Sequence, residues 1–162
     1  MALLTPHGRR RTQLHLRCLR KTWIAPLGQN VNGFEDDLRT YAETKAAGVF
    51  TSGTASIHLA LILLGVKAGD EVLCQSFTFS ATANPIAYQG ATPVFIDSEP
   101  DTWNMDPELL EQAILDRMGN SGKASEADTN LATIRQTKLP KAIIAVHLYG
   151  MPAKMDEIKA IG

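Results

Sequence analysis

Three short apolar runs, each separated from the next by a stretch with helical spacing, constrain this chain more than any other feature. They are Glu71-Val72-Leu73-Cys74-Gln75, Thr92-Pro93-Val94-Phe95-Ile96-Asp97 and Lys141-Ala142-Ile143-Ile144-Ala145-Val146. A strand with one face in water alternates apolar and polar residues; a near-continuous apolar run is a strand covered on both faces. Between the runs, Ser80 to Tyr88 reads as a helix ending at Gly90. Pro107 to Leu115 reads as a second, with Asp106 as its cap and proline at its first position. Met155 to Ile161 begins a third. Strand–helix alternation of this kind predicts an α/β fold with a mainly parallel sheet and helices on both faces. Met118 to Lys138 is polar and reads as an exposed loop with a helical patch.

A fourth apolar run, Ala46-Ala47-Gly48-Val49-Phe50-Thr51, stands before Ser52-Gly53-Thr54-Ala55-Ser56, and Ile57 to Leu64 follows with helix length. A strand that turns through a small Ser-Gly-Thr loop into a helix leaves the first amides of that helix without intrahelical acceptors. Those N–H groups and the positive end of the helix dipole suit a phosphate. The pattern is neither a Walker loop, which needs Gly-Lys-Ser/Thr, nor a G-x-G-x-x-G dinucleotide fingerprint. Taken alone it is equally an ordinary Ser/Thr N-cap.

Composition narrows the remaining classes. The 162 residues, 44% hydrophobic, suffice for one core, and a net charge of −1 offers no general attraction to nucleic acid or membrane. No apolar run has the length to span a bilayer. Cys18 and Cys74 have neither metal-ligand spacing nor a disulfide framework, as expected in a reducing cytoplasm, and Cys74 reads as a small packed thiol in a strand. Arg9, Arg10, Arg11, Arg17, Arg20 and Lys21 all precede the first acidic residue, Glu35. A solvated helix face accounts for that head better than a nucleic-acid arm, since one basic cluster is a weak footprint. Farther on, Pro26 and Gly28 break any helix, and Phe34, Leu38 and Tyr41 form one stripe of a new one.

Several phrases together resemble the DegT/DnrJ/EryC1/StrS sugar aminotransferases of fold type I. They are Trp23-Ile24-Ala25-Pro26-Leu27-Gly28, Phe34-Glu35, Ser52-Gly53-Thr54-Ala55-Ser56, Gly69-Asp70-Glu71-Val72, Ser76-Phe77-Thr78-Phe79, Ala81-Thr82-Ala83-Asn84-Pro85, Gly90-Ala91-Thr92-Pro93-Val94-Phe95 and Val146-His147-Leu148-Tyr149-Gly150. Their order and spacing match that family from Trp23 onward. The resemblance implies pyridoxal 5′-phosphate (PLP) as cofactor. Its phosphate would sit on Gly53, Thr54 and Ala55, and Phe79 would stack on its ring, with Phe77 the more natural core residue. Thr22, Trp23, Ile24 and Ala25 would border the substrate. His147 falls where the family often has a polar residue; a satisfied structural histidine is the simpler reading. The implied reaction moves an amino group from an amino acid, glutamate by expectation, to a nucleotide-linked keto-sugar, in a cytoplasmic homodimer with no nucleic-acid or membrane partner.

The resemblance is incomplete in two places. The aspartate for the pyridine nitrogen and the Schiff-base lysine, in a Ser-x-x-Lys setting, are expected beyond Gly162. No lysine of this chain has a serine three residues before it. The Arg-rich head replaces an acidic-containing helix. Residues 1–33 therefore read as an N-terminal segment, and 34–162 as an incomplete PLP-binding large domain that is inactive by itself. A related PLP-dependent sugar dehydratase, with histidine in place of the lysine, or a non-catalytic phosphate-binding or dimerising fragment, remain alternatives.

Overall fold

The computed structural model describes residues 12, 13, 15–17, 19, 20, 28–119 and 139–162. The chain divides into two units between Phe50 and Thr51.

In the first unit the described residues from 12 to 20 are helical and exposed. Helix α1, Gln29–Tyr41, carries the Phe34, Leu38 and Tyr41 stripe, and none of its residues is buried. Asp36 pairs with Arg39 one turn on, at 3.6 Å. The run from Ala46 to Thr51 is not a strand. A buried strand needs a ladder on its edge to satisfy its amides, and among the described residues none pairs with this one. The Val49 N–H donates instead to the Glu35 carboxylate at 3.0 Å.

The second unit opens with helix α2, Gly53–Leu63, and continues through β1 (Glu71–Gln75), α3 (Asn84–Tyr88), β2 (Thr92–Ile96), α4 (Pro107–Gly119), β3 (Ala142–Ile144) and α5 (Met155–Ile161). The three strands are parallel, in the order β2-β1-β3. Glu71 stands beside Thr92 and Gln75 beside Ile96 on one edge of β1, and Val72 beside Ala142 on the other.

The two-residue strand period sorts the core into two layers. Val72 and Cys74 point to one face, where Leu61 of α2 and Ile86 of α3 cover them. Leu73 points to the other, against Met105, Leu110 of α4 and Ile158 of α5. Each face thus has its helices, as the continuous apolar runs require. Burial pushes the Cys74 thiol up to about 11, so it packs as a small apolar group.

The crossovers set the ligand-binding geometry of the sheet. The β1-to-β2 connection passes through α3 on one face, and the β2-to-β3 connection through α4 on the other. The β1-to-β2 and β2-to-β3 crossovers step across the sheet in opposite directions, and right-handed crossovers that do so must lie on opposite faces. The carboxyl ends of β1 and β3 therefore flank the point where strand order reverses, which is where open α/β sheets bind ligands.

Asp106 caps α4 as its sequence predicts, its Oδ1 accepting from the Glu108 and Leu109 amides at 2.8 and 3.3 Å. The predicted helix from Ser80 is shorter. Residues 80–83 are turns and only Asn84–Tyr88 is helical. Pro85 explains the late start: it has no N–H to donate to the Ala81 carbonyl, so it suits the first turn, where that donor is not needed.

Candidate functional site

Ser52 has extended backbone and its Oγ accepts from the Ala55 N–H at 3.2 Å, so it is the N-cap of α2. Its carbonyl accepts from the Ser56 N–H at 3.2 Å and from the Ser56 hydroxyl at 3.3 Å. The Gly53 and Thr54 amides have no acceptor among the described residues. A Cβ added at Gly53 would meet nothing within 4 Å, and its φ is not positive. Neither packing nor backbone conformation requires glycine there. The loop combines two unsatisfied donors, open space above the first, and the positive end of an eleven-residue helix. That combination suits a phosphate. The Ala55 amide differs from its neighbours: it reaches an anion only if Ser52 releases it.

α2 leads through a tight turn into the start of β1, with Gly65 N–H bonded to Ile62 O and Asp70 N–H to Lys67 O. Its N-terminus consequently faces the carboxyl edge of the sheet. Phe79 lies on the loop that leaves the same edge of β1 and is 71% exposed. It is held from behind: its carbonyl accepts from Thr82 N–H at 3.0 Å, and the Thr78 and Thr82 hydroxyls are 2.9 Å apart. An aromatic ring left this open has face to offer a planar ligand. Phe77, expected in the core, is instead about half exposed. It leans on Trp103 with ring centroids 5.9 Å apart, beside a cavity of about 430 Å³ lined also by Asp97, Ser98, Glu99 and Pro100. The strand ends at Gln75, so the side chains after it no longer obey the alternation that would bury Phe77.

His147 follows β3. Its Nδ1 accepts from the Ala153 N–H at 3.0 Å, which requires a ring unprotonated at that nitrogen. Its carbonyl accepts from the Gly150 N–H at 3.0 Å, so its backbone closes the Leu148–Gly150 turn while its ring bonds beyond it. Thr22, Trp23, Ile24 and Ala25, the expected substrate contacts, lie outside the described residues.

Two buried carboxamides at this edge were not legible in the sequence. Gln75 Nε2 donates to the Phe77 carbonyl at 2.7 Å, and its Oε1 accepts from Met105 N–H at 3.1 Å. Asn104 Oδ1 accepts from Leu148 N–H and its Nδ2 donates to the Met151 carbonyl, both at 2.9 Å. Beside them Glu99 accepts from the Thr102 hydroxyl, from the Asp101 and Thr102 amides, and from Lys154 at 3.2 Å. The Thr102 hydroxyl bond foremost, with the two amides and Lys154, holds the Glu99 carboxyl down at about 2, against the opposing effect of burial. The same partner raises Lys154 above the ordinary lysine value. A polar residue at the end of an apolar strand, as Gln75 is, was the one available signal. Among the described residues no three His, Cys, Asp or Glu gather as metal ligands, and no helix is long and apolar enough to cross a membrane.

Comparison with known proteins agrees with this geometry. The model of the DegT/DnrJ/EryC1/StrS aminotransferase family matches residues 7–162. The chain is 52% identical over 160 residues to EpsN of Bacillus subtilis (strain 168), whose name describes a pyridoxal phosphate-dependent aminotransferase; the match spans 98% of this chain and 37% of EpsN. It is 36% identical over 141 residues to the GDP-perosamine synthase of Escherichia coli O157:H7, across 87% of this chain and 33% of that enzyme. A crystal structure of a DegT DnrJ EryC1 StrS aminotransferase from Brucella abortus superposes with a TM-score of 0.74 at 30% identity, covering 99% of this chain and 41% of the other. The chain spans about a third of the length of these curated relatives. Parallel α/β architecture, the Ser-Gly-Thr helix start and these matches together place the chain in the DegT/DnrJ/EryC1/StrS aminotransferase family.

Proposed function

We propose that this chain supplies the cofactor-phosphate seat and ring platform of a PLP-dependent aminotransferase acting on a nucleotide-linked keto-sugar. When bound, PLP supplies the electron sink through which an amino group leaves a donor amino acid and reaches the keto-sugar. The observation that carries the reading is the pair of unsatisfied amides at Gly53 and Thr54, with open space where a Cβ would stand. Each charged hydrogen bond to a phosphate oxygen contributes about 1.5–3 kcal/mol. The helix terminus adds roughly 0.3–1 kcal/mol for an anion.

Phe79 would cover one face of the pyridine ring and keep water from it, a contact of about 0.5–1.5 kcal/mol beyond simple burial. Thr22, Trp23, Ile24 and Ala25 would border the nucleotide-sugar. The names of two relatives support the substrate and cofactor classes: a GDP-linked sugar product for one and pyridoxal phosphate for the other. The same proposal includes glutamate as donor, a lysine outside residues 1–162, a cytoplasmic homodimer, and residues 34–162 as the cofactor-binding part behind an arm of 1–33.

Equilibrium dialysis of the chain against PLP, pyridoxal and inorganic phosphate tests this reading. PLP should bind, inorganic phosphate should compete with it, and pyridoxal should bind at least about tenfold more weakly than PLP, as loss of one charged bond requires. Equal affinity for PLP and pyridoxal would show that no phosphate seat exists.

A further inference from the structure

The Phe77–Trp103 cavity lies between the ends of β1 and β2, off the point where strand order reverses; the Ser98 hydroxyl in its wall has no partner among the described residues, but its two carboxylates, Asp97 and Glu99, are already engaged. The Gln75 and Asn104 carboxamides lead further. Asn104 is fully buried on the loop after β2, yet both of its polar atoms are spent on the loop after β3. They take the first amide and the last carbonyl of one tight turn, Leu148 N–H and Met151 O, 44 and 47 residues away. The turn they close holds Tyr149 with φ of +51°, a backbone conformation that costs a non-glycine residue free energy and persists only when its surroundings enforce it. The next residue, Met105, is fixed by Gln75, which also holds the carbonyl of Phe77 at the start of the Phe79 loop.

We infer that Asn104 is a positioning residue for the cofactor pocket: it fixes the His147–Met151 turn, one wall of the β1/β3 switch point, in register with the Phe79 loop. It touches no ligand itself. The inference rests on the reading that PLP occupies that point. An apolar residue of similar size would fill the same space but leave the buried Leu148 amide without its acceptor and the Met151 carbonyl without its donor. The demand is therefore for a carboxamide, with its donor and acceptor on the correct sides.

Asn104→Asp tests this with almost no change of shape. It keeps an acceptor for Leu148 N–H and places a second carboxylate oxygen against the Met151 carbonyl. Val66→Ala, a core change in the layer on the other face of the sheet and at the opposite end of β1, serves as the stability control. Hydrogen exchange read by mass spectrometry should accelerate about tenfold or more across residues 147–151 in Asn104→Asp, and not in Val66→Ala, as loss of a local bond predicts. PLP affinity by dialysis should fall at least about fivefold in Asn104→Asp and stay unchanged in the control. Exchange across 147–151 like that of the unmodified chain would overturn the inference, since the turn would not depend on Asn104. Faster exchange with unchanged PLP affinity would also overturn it, leaving Asn104 with a purely structural role. An unmodified chain that fails to bind PLP would sink the functional reading, and the positioning role that rests on it.

Discussion

Glu99 shows how the fold spends a single ionisable side chain. Its carboxyl is held near 2, mainly by the Thr102 hydroxyl, and it ties Lys154 to the loop after β2. A group whose folded value lies below its ordinary 4.5 contributes stability that is whole above that value. That contribution fades as pH falls from about 4.5 towards about 2. Urea unfolding from pH 6 to pH 2.5 should show stability declining across this window, and Glu99→Gln should flatten the decline. Lys154 acts in the opposite sense. Its raised value gives a contribution complete below its ordinary 10.5 and lost only in stronger alkali. None of this was legible in the sequence, nor were the bonds of Asn104 and Gln75. The Asn104 partners 44 and 47 residues away, and Met105 30 residues from Gln75, are set by topology, and no local pattern encodes them. The Ser52 cap of α2 was legible because a cap acts within three residues of itself.

Elements whose rules are local came out as read. Asp106 before Pro107 starts α4, and the three apolar runs are the three strands. Asp106→Ala should therefore cost about 1 kcal/mol, within the usual 0.5–2 for a lost N-cap. The shift in urea midpoint at constant slope measures it, and a cost below about 0.3 kcal/mol would mean that water replaces the cap without penalty. Elements whose rules are not local misled. The run from Ala46 to Thr51 has a strand's composition, but strand character depends on a neighbouring ladder, and none of the described strands provides it. Ser80 to Ala83 has helical spacing, yet the preference of Pro85 for a helix's first turn overrides it. Phe77 and Phe79 differ by one alternation on paper, and only the end of β1 at Gln75 decides that both lie open.

At the scale of the whole molecule, the alternation of strands and helices sufficed for the fold class. Handedness then dictated which face each crossover takes. The carboxyl edge follows from that, as does the place where β1 and β3 part. The Ser52–Ala55 loop and Phe79 both belong to that edge, where in the proposed function the loop seats a phosphate and Phe79 faces the attached ring. The decisive comparison is PLP affinity of Gly53→Val and Phe79→Ala, each titrated into the chain and followed by ³¹P NMR. A Cβ at Gly53 meets no protein atom within 4 Å, so folding should survive while a valine fills the space above the amides. Loss of a charged hydrogen bond at about 1.5–3 kcal/mol exceeds loss of an aromatic contact at about 0.5–1.5. Gly53→Val should weaken PLP roughly tenfold to a hundredfold, and Phe79→Ala roughly twofold to tenfold. Gly53→Val that binds PLP as the unmodified chain does would reduce the loop to a helix cap and contradict its role as a phosphate seat.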